Sequence, residues 1–328
     1  MPSRTRLGIA LSLAVSIALT ATQGASAAPQ DFSKTVHYLD ASFVAGKFVE
    51  GFSPGQPDYG FTLEAMLQRK AAGETSGNQQ AAIAATLLDN KVIGTPVSRH
   101  GYVFDGDGSL NIGAAAKYLF VGRVVGAANG SNRNGILELL MKSVHSDGSL
   151  ISSNGNAFDY GWAVLALEAS GEFSLASKVA IRLTGYQHKD GGFGLDASSA
   201  STDSSPDATG IAMQALGAVQ LTGSSADRKT IAKPISRAVS YLLSTQVAGN
   251  HWNAWGDFDS NGTAYAAMGL KAVGKNTGRI STWFASKISS DGGIETAWSG
   301  TAGDRFATAQ GFCALRGISY IELIGLRP

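Results

Sequence analysis

The feature that most constrains this chain is a module that recurs along it. In its clearest copy, YQHKDGGFGLDASSASTDSSPDATGIAMQALGAV from Tyr186 to Val219, one helical segment ends in a Gly-rich turn and a second opens soon after. Gly191 and Gly192 stop the first helix because glycine tolerates positive φ. Ser205 reads as the N-cap of the second, Pro206 suits its first position, and Asp207 complements the helix dipole. Ala208, Ile211, Ala212, Ala215, Leu216 and Val219 then recur at helical spacing.

Further copies run from Asp58, Asn111, Asp159, Ser260 and Arg305. Anchored on Met66, Leu119, Leu167, Leu216, Leu270 and Leu315, they are spaced by 53, 48, 49, 54 and 45 residues. The turns Asp107-Gly108-Ser109, Asp147-Gly148-Ser149, Asp190-Gly191-Gly192 and Asp291-Gly292-Gly293 repeat as well. Such a period indicates units that bury their apolar faces only against one another. Each unit also has an earlier helical segment: Leu39, Phe43 and Phe48 mark it in unit one, Ile83 and Leu87 in unit two. Ile136, Leu139 and Leu140, then Leu175, Val179 and Leu183, then Ile231, Ile235 and Leu242, then Ile280, Trp283 and Phe284 mark the others. Twelve helices follow. The anchor helices are rich in Ala and Gly, which permits the close approach that an inner ring requires, with the bulkier segments outside.

The turn-plus-helix unit, with Gln187 before Asp190-Gly191-Gly192-Phe193 and Asp207-Ala208-Thr209 opening the helix, resembles the repeat shared by squalene and oxidosqualene cyclases and protein prenyltransferase β subunits. Tyr241 to Gln246 before Trp252 is a rougher copy. The resemblance covers residues 31 to 318. It implies an all-α fold, an α6/α6 toroid of six helix-pair repeats with Gly-rich connecting loops around a central cavity.

Residues 1–28 read as a secretory signal: Arg4 and Arg6 precede the apolar run Leu7 to Leu19, and Ala25-Ser26-Ala27 offers the small residues of a cleavage site. The expectation is a secreted protein whose single toroid domain spans 29–328. Lys and Arg number 26 against 25 Asp and Glu, so nothing steers the chain to nucleic acid, and no later apolar run is long enough for a membrane anchor. Cys313 is the only cysteine. It excludes an internal disulfide and leaves the prenyltransferase zinc set, an Asp, a Cys and a His, without its context; inside an apolar helix it reads as a buried thiol.

Class II terpene cyclases, in the same resemblance, protonate their substrate with the central Asp of an Asp-X-Asp-Asp motif. Asp257-Phe258-Asp259-Ser260 is the matching stretch, with Ser260 in place of the last acid and two residues before the Thr263-Ala264 that opens the helix. The resemblance thus implies Asp259 as general acid, with Asp257 beside it. Asp257, Asp259 and Asn261 followed by Gly262 also match the first half of a calcium loop, although Met268 occupies the twelfth position. No cofactor is expected beyond a structural Ca2+ there. Asp58, Asp159, Asp207 and Asp304 stand near inner-helix starts, where a carboxylate pair of a glycoside hydrolase or plain dipole complementarity would place them. His188 and His251 occupy equivalent loops and read as solvated.

Tyr59, Tyr160, Trp162 and Tyr265 fall at or near inner-helix starts, with Phe193, Trp252 and Trp255 on the preceding loops. Together with Asp207 they form a candidate rim for an apolar or ring-bearing small molecule, or they pack between units. Three functions stay open: a secreted non-catalytic binder of such a ligand, a cyclase-like enzyme using Asp259, and an extracellular scaffold presenting the 190–207 and 247–263 loops to a cell-surface protein partner.

Overall fold

The computed structural model describes residues 31–73, 77–127, 130–153, 155–196 and 203–328; the export signal expected at residues 1–28 lies outside them. Helix α1 (Ser33–Ala41) leads into the hairpin β1 (Phe43–Val44) and β2 (Phe48–Val49), then α2 (Tyr59–Ala72). Next come α3 (Gly77–Ala82), a π-helical segment (Ile83–Leu87), α4 (Asn90–Ile93), α5 (Ile112–Val124) and α6 (Gly130–Lys142). The chain continues through α7 (Ala157–Ser170), α8 (Phe173–Thr184), α9 (Pro206–Thr222) and α10 (Ser225–Thr245). A second hairpin, β3 (Asn253–Ala254) and β4 (Asp257–Phe258), precedes α11 (Ser260–Ala272), α12 (Gly278–Ser286), α13 (Arg305–Leu315) and α14 (Tyr320–Leu323).

Two expected helices are built differently. Phe43 and Phe48 lie on the first hairpin, antiparallel with Phe43 opposite Val49, because Ala45 and Gly46 both adopt positive φ and turn the chain back. The unit-two segment is broken into α3, the π-helical turn and α4.

Capping sets the register of the repeat. Asp58, Asn111, Asn156, Ser205, Asp259 and Asp304 each accept a backbone N–H through their side chains at the starts of α2, α5, α7, α9, α11 and α13. Counting from these caps, the positions equivalent to Leu167, Leu216, Leu270 and Leu315 are Arg69 and Gly122. The anchors Met66 and Leu119 are therefore one helical turn early. Helix α11 also opens at Ser260, not at Thr263.

A threonine four residues beyond the cap ties the preceding loop down. The Thr62, Thr209, Thr263 and Thr308 hydroxyls accept the backbone N–H groups of Val49, Phe193, Trp252 and Ile294 at 2.9, 2.9, 3.0 and 2.9 Å. In the Asp-Gly turns before α5, α7, α9 and α13, Gly108, Gly148, Gly191 and Gly292 all take positive φ, as the pattern requires.

Helix α2 packs on α5, α5 on α7, α7 on α9, α9 on α11, α11 on α13, and α13 on α2. These six are buried nearly all round, as in the unbroken stretch from Ala208 to Val219. By contrast α8 buries a single face through Ala176, Val179, Ala180 and Leu183. Small residues thus serve the elements that touch neighbours on every side. Tyr320, on α14, is fully buried: its OH accepts from Gln68 Nε2 at 3.2 Å, its N–H donates to Gln214 Oε1 at 2.9 Å, and its ring stacks on Trp162 at 5.4 Å. Cys313 is buried as expected. Among the described residues no helix is long and apolar enough to cross a membrane.

Helices α7 and α9 share a polar link, Thr222 Oγ1 donating to Glu168 Oε1 at 2.8 Å. Burial raises the Glu168 carboxyl from 4.5 to about 7, opposed by that hydrogen bond. A folded-state value above the unfolded one adds stability that is fully present below pH 4.5 and is lost as the pH rises through about 7. Thermal midpoints of the wild type should fall relative to those of Glu168→Gln between about pH 5 and pH 8. Parallel midpoints over that window would contradict this.

Candidate functional site

The cap register also identifies the inward-facing position. Six residues beyond the caps stand Glu64, Lys117, Trp162, Ile211, Tyr265 and Gln310 (Asp58 to Glu64, Asn111 to Lys117, and so on). Four of them line a cavity of about 300 Å3 at the N-terminal ends of α2, α5, α7, α9, α11 and α13. Asp58, Gly60 and Phe61 contribute from the start of α2, Phe158 from α7, Asp207 from α9 and Asn261 from α11.

Glu64 organises this cavity. It is 2 % exposed, yet each carboxylate oxygen is engaged. Lys117 Nζ donates to Oε1, while Tyr265 OH and Gln310 Nε2 donate to Oε2 at 2.9 and 2.6 Å. Gln310 Oε1 in turn accepts from Asn261 Nδ2 at 2.5 Å. A buried carboxylate is tolerated only when paired and hydrogen-bonded in this way. Burial works against the Lys117 charge, but Glu64 and then Tyr102 outweigh it, so the ammonium titrates above its usual value. The ammonium also sits 5.1 Å above the centre of the Trp162 ring. Burial first, and Glu64 second, hold the Tyr265 phenol well above 10 and therefore protonated as a donor.

The floor of this region is aromatic. Trp162 stacks on Tyr320, and Tyr265 meets Tyr320 edge-on with centroids 6.3 Å apart. At the mouth Phe158 meets Tyr265 edge-on at 5.4 Å, and Phe61 packs on Phe306 at 4.4 Å. The arrangement offers ring faces beside fixed donors and carboxylates. Asp58 and Asp207 bring half-buried carboxylates to the lining, so a ligand that carries hydrogen-bonding groups matches it better than a purely apolar one.

Asp207 and Tyr265 are the candidate rim residues that line this cavity, with Trp162 below them. Tyr160 is fully buried, its OH accepting from the Leu150 N–H at 3.0 Å and its ring edge-on to Tyr186. Phe193 is fully buried, and Trp252 donates its indole N–H to the Leu242 carbonyl at 3.0 Å. These three pack between elements, since the threonine latches draw the loop backbone inward and carry Phe193 and Trp252 with it. Tyr59 lines a separate cavity with Phe48 and Asp89. Trp255 is 90 % exposed at the tip of the β3–β4 turn and contacts Trp298, itself 70 % exposed, at 5.7 Å.

Asp259 is the cap of α11 and accepts the Asn261 N–H at 3.0 Å. Burial raises its carboxyl, the Gly262 N–H opposes this and Asp207 adds to it. The cavity lining takes Asn261 and Tyr265 from this stretch rather than Asp259. Asp257 is exposed on β4 and accepts the N–H of Phe258 at 2.7 Å. The calcium pattern is divided accordingly: Asp257 faces out, Asp259 caps, and Asn261 donates into the cavity. Among the described residues no group of three or more His, Cys, Asp or Glu could hold a metal ion. Of the four acids at helix starts, Asp58 and Asp207 reach this cavity, whereas Asp304 lines another with Tyr38 and Arg305 and Asp159 accepts from Ser153 Oγ at 2.9 Å. His188 is not solvated: it is 1 % exposed, with Nδ1 3.0 Å from Ser204 Oγ.

Glu64, Lys117 and Gln310 were missed in the sequence. Their signal is a large polar residue at the same position, six beyond a cap, in three of the six helices.

No protein-family model and no curated protein matches this chain. Among solved structures it is similar to the type II terpene cyclase MstE from Scytonema without ligand, at 14 % identity and a TM-score of 0.58, over 87 % of this chain and 95 % of that one. It is similar also to an arginine-to-alanine variant of MstE in complex with its substrate geranylgeranyl dihydroxybenzoate, at 12 % identity and a TM-score of 0.58, over 89 % and 97 % of the two chains. The recurring helix-and-turn units, the successive packing of α2, α5, α7, α9, α11 and α13 and these two likenesses agree that the chain has a terpenoid-cyclase-like helical fold.

Proposed function

We propose that the helix pairs form an α6/α6 toroid of six repeats within a single domain, residues 29–328, exported after removal of residues 1–28, and that the toroid binds a ring-bearing small molecule without transforming it. The observation that supports this most is the Glu64 cluster. A carboxylate locked to Lys117, Tyr265 and Gln310 is a fixed recognition element, and Phe61 and Phe158 supply ring faces above it. The ligand class that fits is a ring carrying hydrogen-bonding groups, small enough for about 300 Å3. Native mass spectrometry of the secreted protein should show a co-purifying small molecule that is lost from Asp207→Ala. A ligand-free wild type that also binds no ring-bearing compound in a screen would overturn the proposal.

A class II cyclase-like activity is the second reading, favoured by the likeness to MstE and by the upward shift of Asp259. On that reading Asp259→Asn abolishes turnover of a prenylated aromatic acid such as the MstE substrate. The binding reading requires wild type and Asp259→Asn to be equally inert and to hold their ligand equally well.

A further inference from the structure

A larger cavity, about 650 Å3, lies at the opposite ends of the inner helices. Arg123 reaches it from the last turn of α5, Arg133 and Leu137 from α6, Glu168 and Ser170 from the end of α7, Phe173 from α8, and Leu323 and Leu326 from the C-terminal segment.

Its charge arrangement is unusual for a structural role. Arg123 complements the C-terminal dipole of its own helix. Arg133 does not: it is the fourth residue of α6, where the dipole disfavours a cation. It is also half-buried. Burial, and then the neighbouring Arg123, push its guanidinium down from the usual value. Neither arginine has an ion pair with an acidic side chain among the described residues. Two like charges thus share a cavity with Leu137, Phe173, Leu323 and Leu326, and Glu168, the acid in its lining, is paired with neither.

The wall carries a second, independent indication. Glu168 is 4 % exposed and its Oε2 has no hydrogen-bond partner among the described residues; the same holds for Ser170 Oγ. Leu137 stands one turn beyond Arg133, and Phe173 is 47 % exposed. Paired guanidinium groups recognise carboxylate or phosphate oxygens, and leucine and phenylalanine side chains favour a hydrocarbon body.

We propose that this cavity is a second binding site, taking an amphipathic organic anion whose carboxylate or phosphate head lies on Arg123 and Arg133 and whose apolar body lies along Leu137, Phe173, Leu323 and Leu326. Burial keeps the Glu168 carboxyl neutral up to about pH 7, so below that pH it does not oppose an anion and its hydroxyl is a further donor.

The test is calorimetric titration at pH 6 with dodecyl phosphate below its micelle concentration, with inorganic phosphate and with dodecanol, on the wild type and on Arg123→Gln/Arg133→Gln. The expected result is saturable binding of dodecyl phosphate, weakened at least about tenfold in the double variant and at least about tenfold for either half of the molecule alone. Affinity unchanged in a double variant that melts like the wild type overturns the proposal. Dodecanol binding as tightly as dodecyl phosphate removes the anion, and inorganic phosphate doing so removes the apolar body; either result overturns it too. If the double variant does not fold, Arg133→Gln alone carries the same comparison. Glu64→Gln/Lys117→Met, which alters the other end of the helices and leaves no buried charge unpaired, should leave this binding unchanged, and loss in that variant while it melts like the wild type would show that dodecyl phosphate occupies the first cavity instead.

Discussion

Lys117→Met lowers the free energy of unfolding by about 3–5 kcal/mol, the usual cost of leaving a buried charge without its partner. Glu64 then keeps Tyr265 and Gln310 as donors but loses the one cation that contacts it among the described residues. The change is nearly isosteric along the stem, so a lost cavity-filling volume does not account for the loss. The double variant Glu64→Gln/Lys117→Met should recover a large part of it, because a neutral amide at position 64 no longer demands a countercharge. Urea unfolding of the four proteins at pH 7 measures the coupling. Losses that simply add across the two sites would show that the pair is solvated and that Glu64 does not organise the cavity. The same double variant is the informative one for function, since it keeps the shape of the cavity while removing its two central charges.

Much of the fold can be read in the amino-acid order because its signals are local. The Asp-Gly turns demand positive φ, and Gly108, Gly148, Gly191 and Gly292 all show it. The Ala- and Gly-rich helices are the ones buried on every side. The candidate site is far less legible, for two physical reasons. Arg69 and Gly122 replace the leucine that marks the other units, so an apolar-anchor alignment slips by one turn in the first two and hides the shared position of Glu64 and Lys117. The cluster is also assembled across long stretches of chain: Gln310 and Glu64 are 246 residues apart and meet only because α13 packs on α2. Aromatic residues mislead for a related reason. Phe193 and Trp252 stand on loops, which suggests exposure, but Thr209 and Thr263 hold their backbone N–H groups and turn the rings into the core. Those threonine hydrogen bonds distinguish them from Trp255, which lies three residues past the latched Trp252 at the tip of the β3–β4 turn and is exposed.

Gly210→Ala should destabilise the protein by about 3 kcal/mol or more, although alanine is the better helix former by about 1 kcal/mol. A Cβ at position 210 would collide with the Tyr265 carbonyl and stand 2.6 Å from the Ala266 nitrogen, both on α11. These are backbone atoms, so no side chain can swing aside; the two helices must separate. Gly269 makes the reciprocal approach, its Cβ position lying 2.6 Å from the Gly210 carbonyl oxygen. The contact between α9 and α11 is the most extensive between any two elements, and Tyr265, the donor to Glu64, is the residue displaced. Gly210→Ala should therefore weaken the ligand binding proposed for the Glu64 cavity as well as lower the melting temperature. Gly122→Ala supplies the contrast, because on α5 the added Cβ meets nothing within 4 Å. There only propensity acts, and the variant should be more stable by roughly 0.5–1 kcal/mol. Opposite signs for two Gly-to-Ala changes inside inner helices are the signature of backbone-to-backbone packing at one of them. If Gly210→Ala proved stabilising, α9 and α11 would have to lie farther apart than described, and the donor set around Glu64, which depends on that spacing, would not assemble.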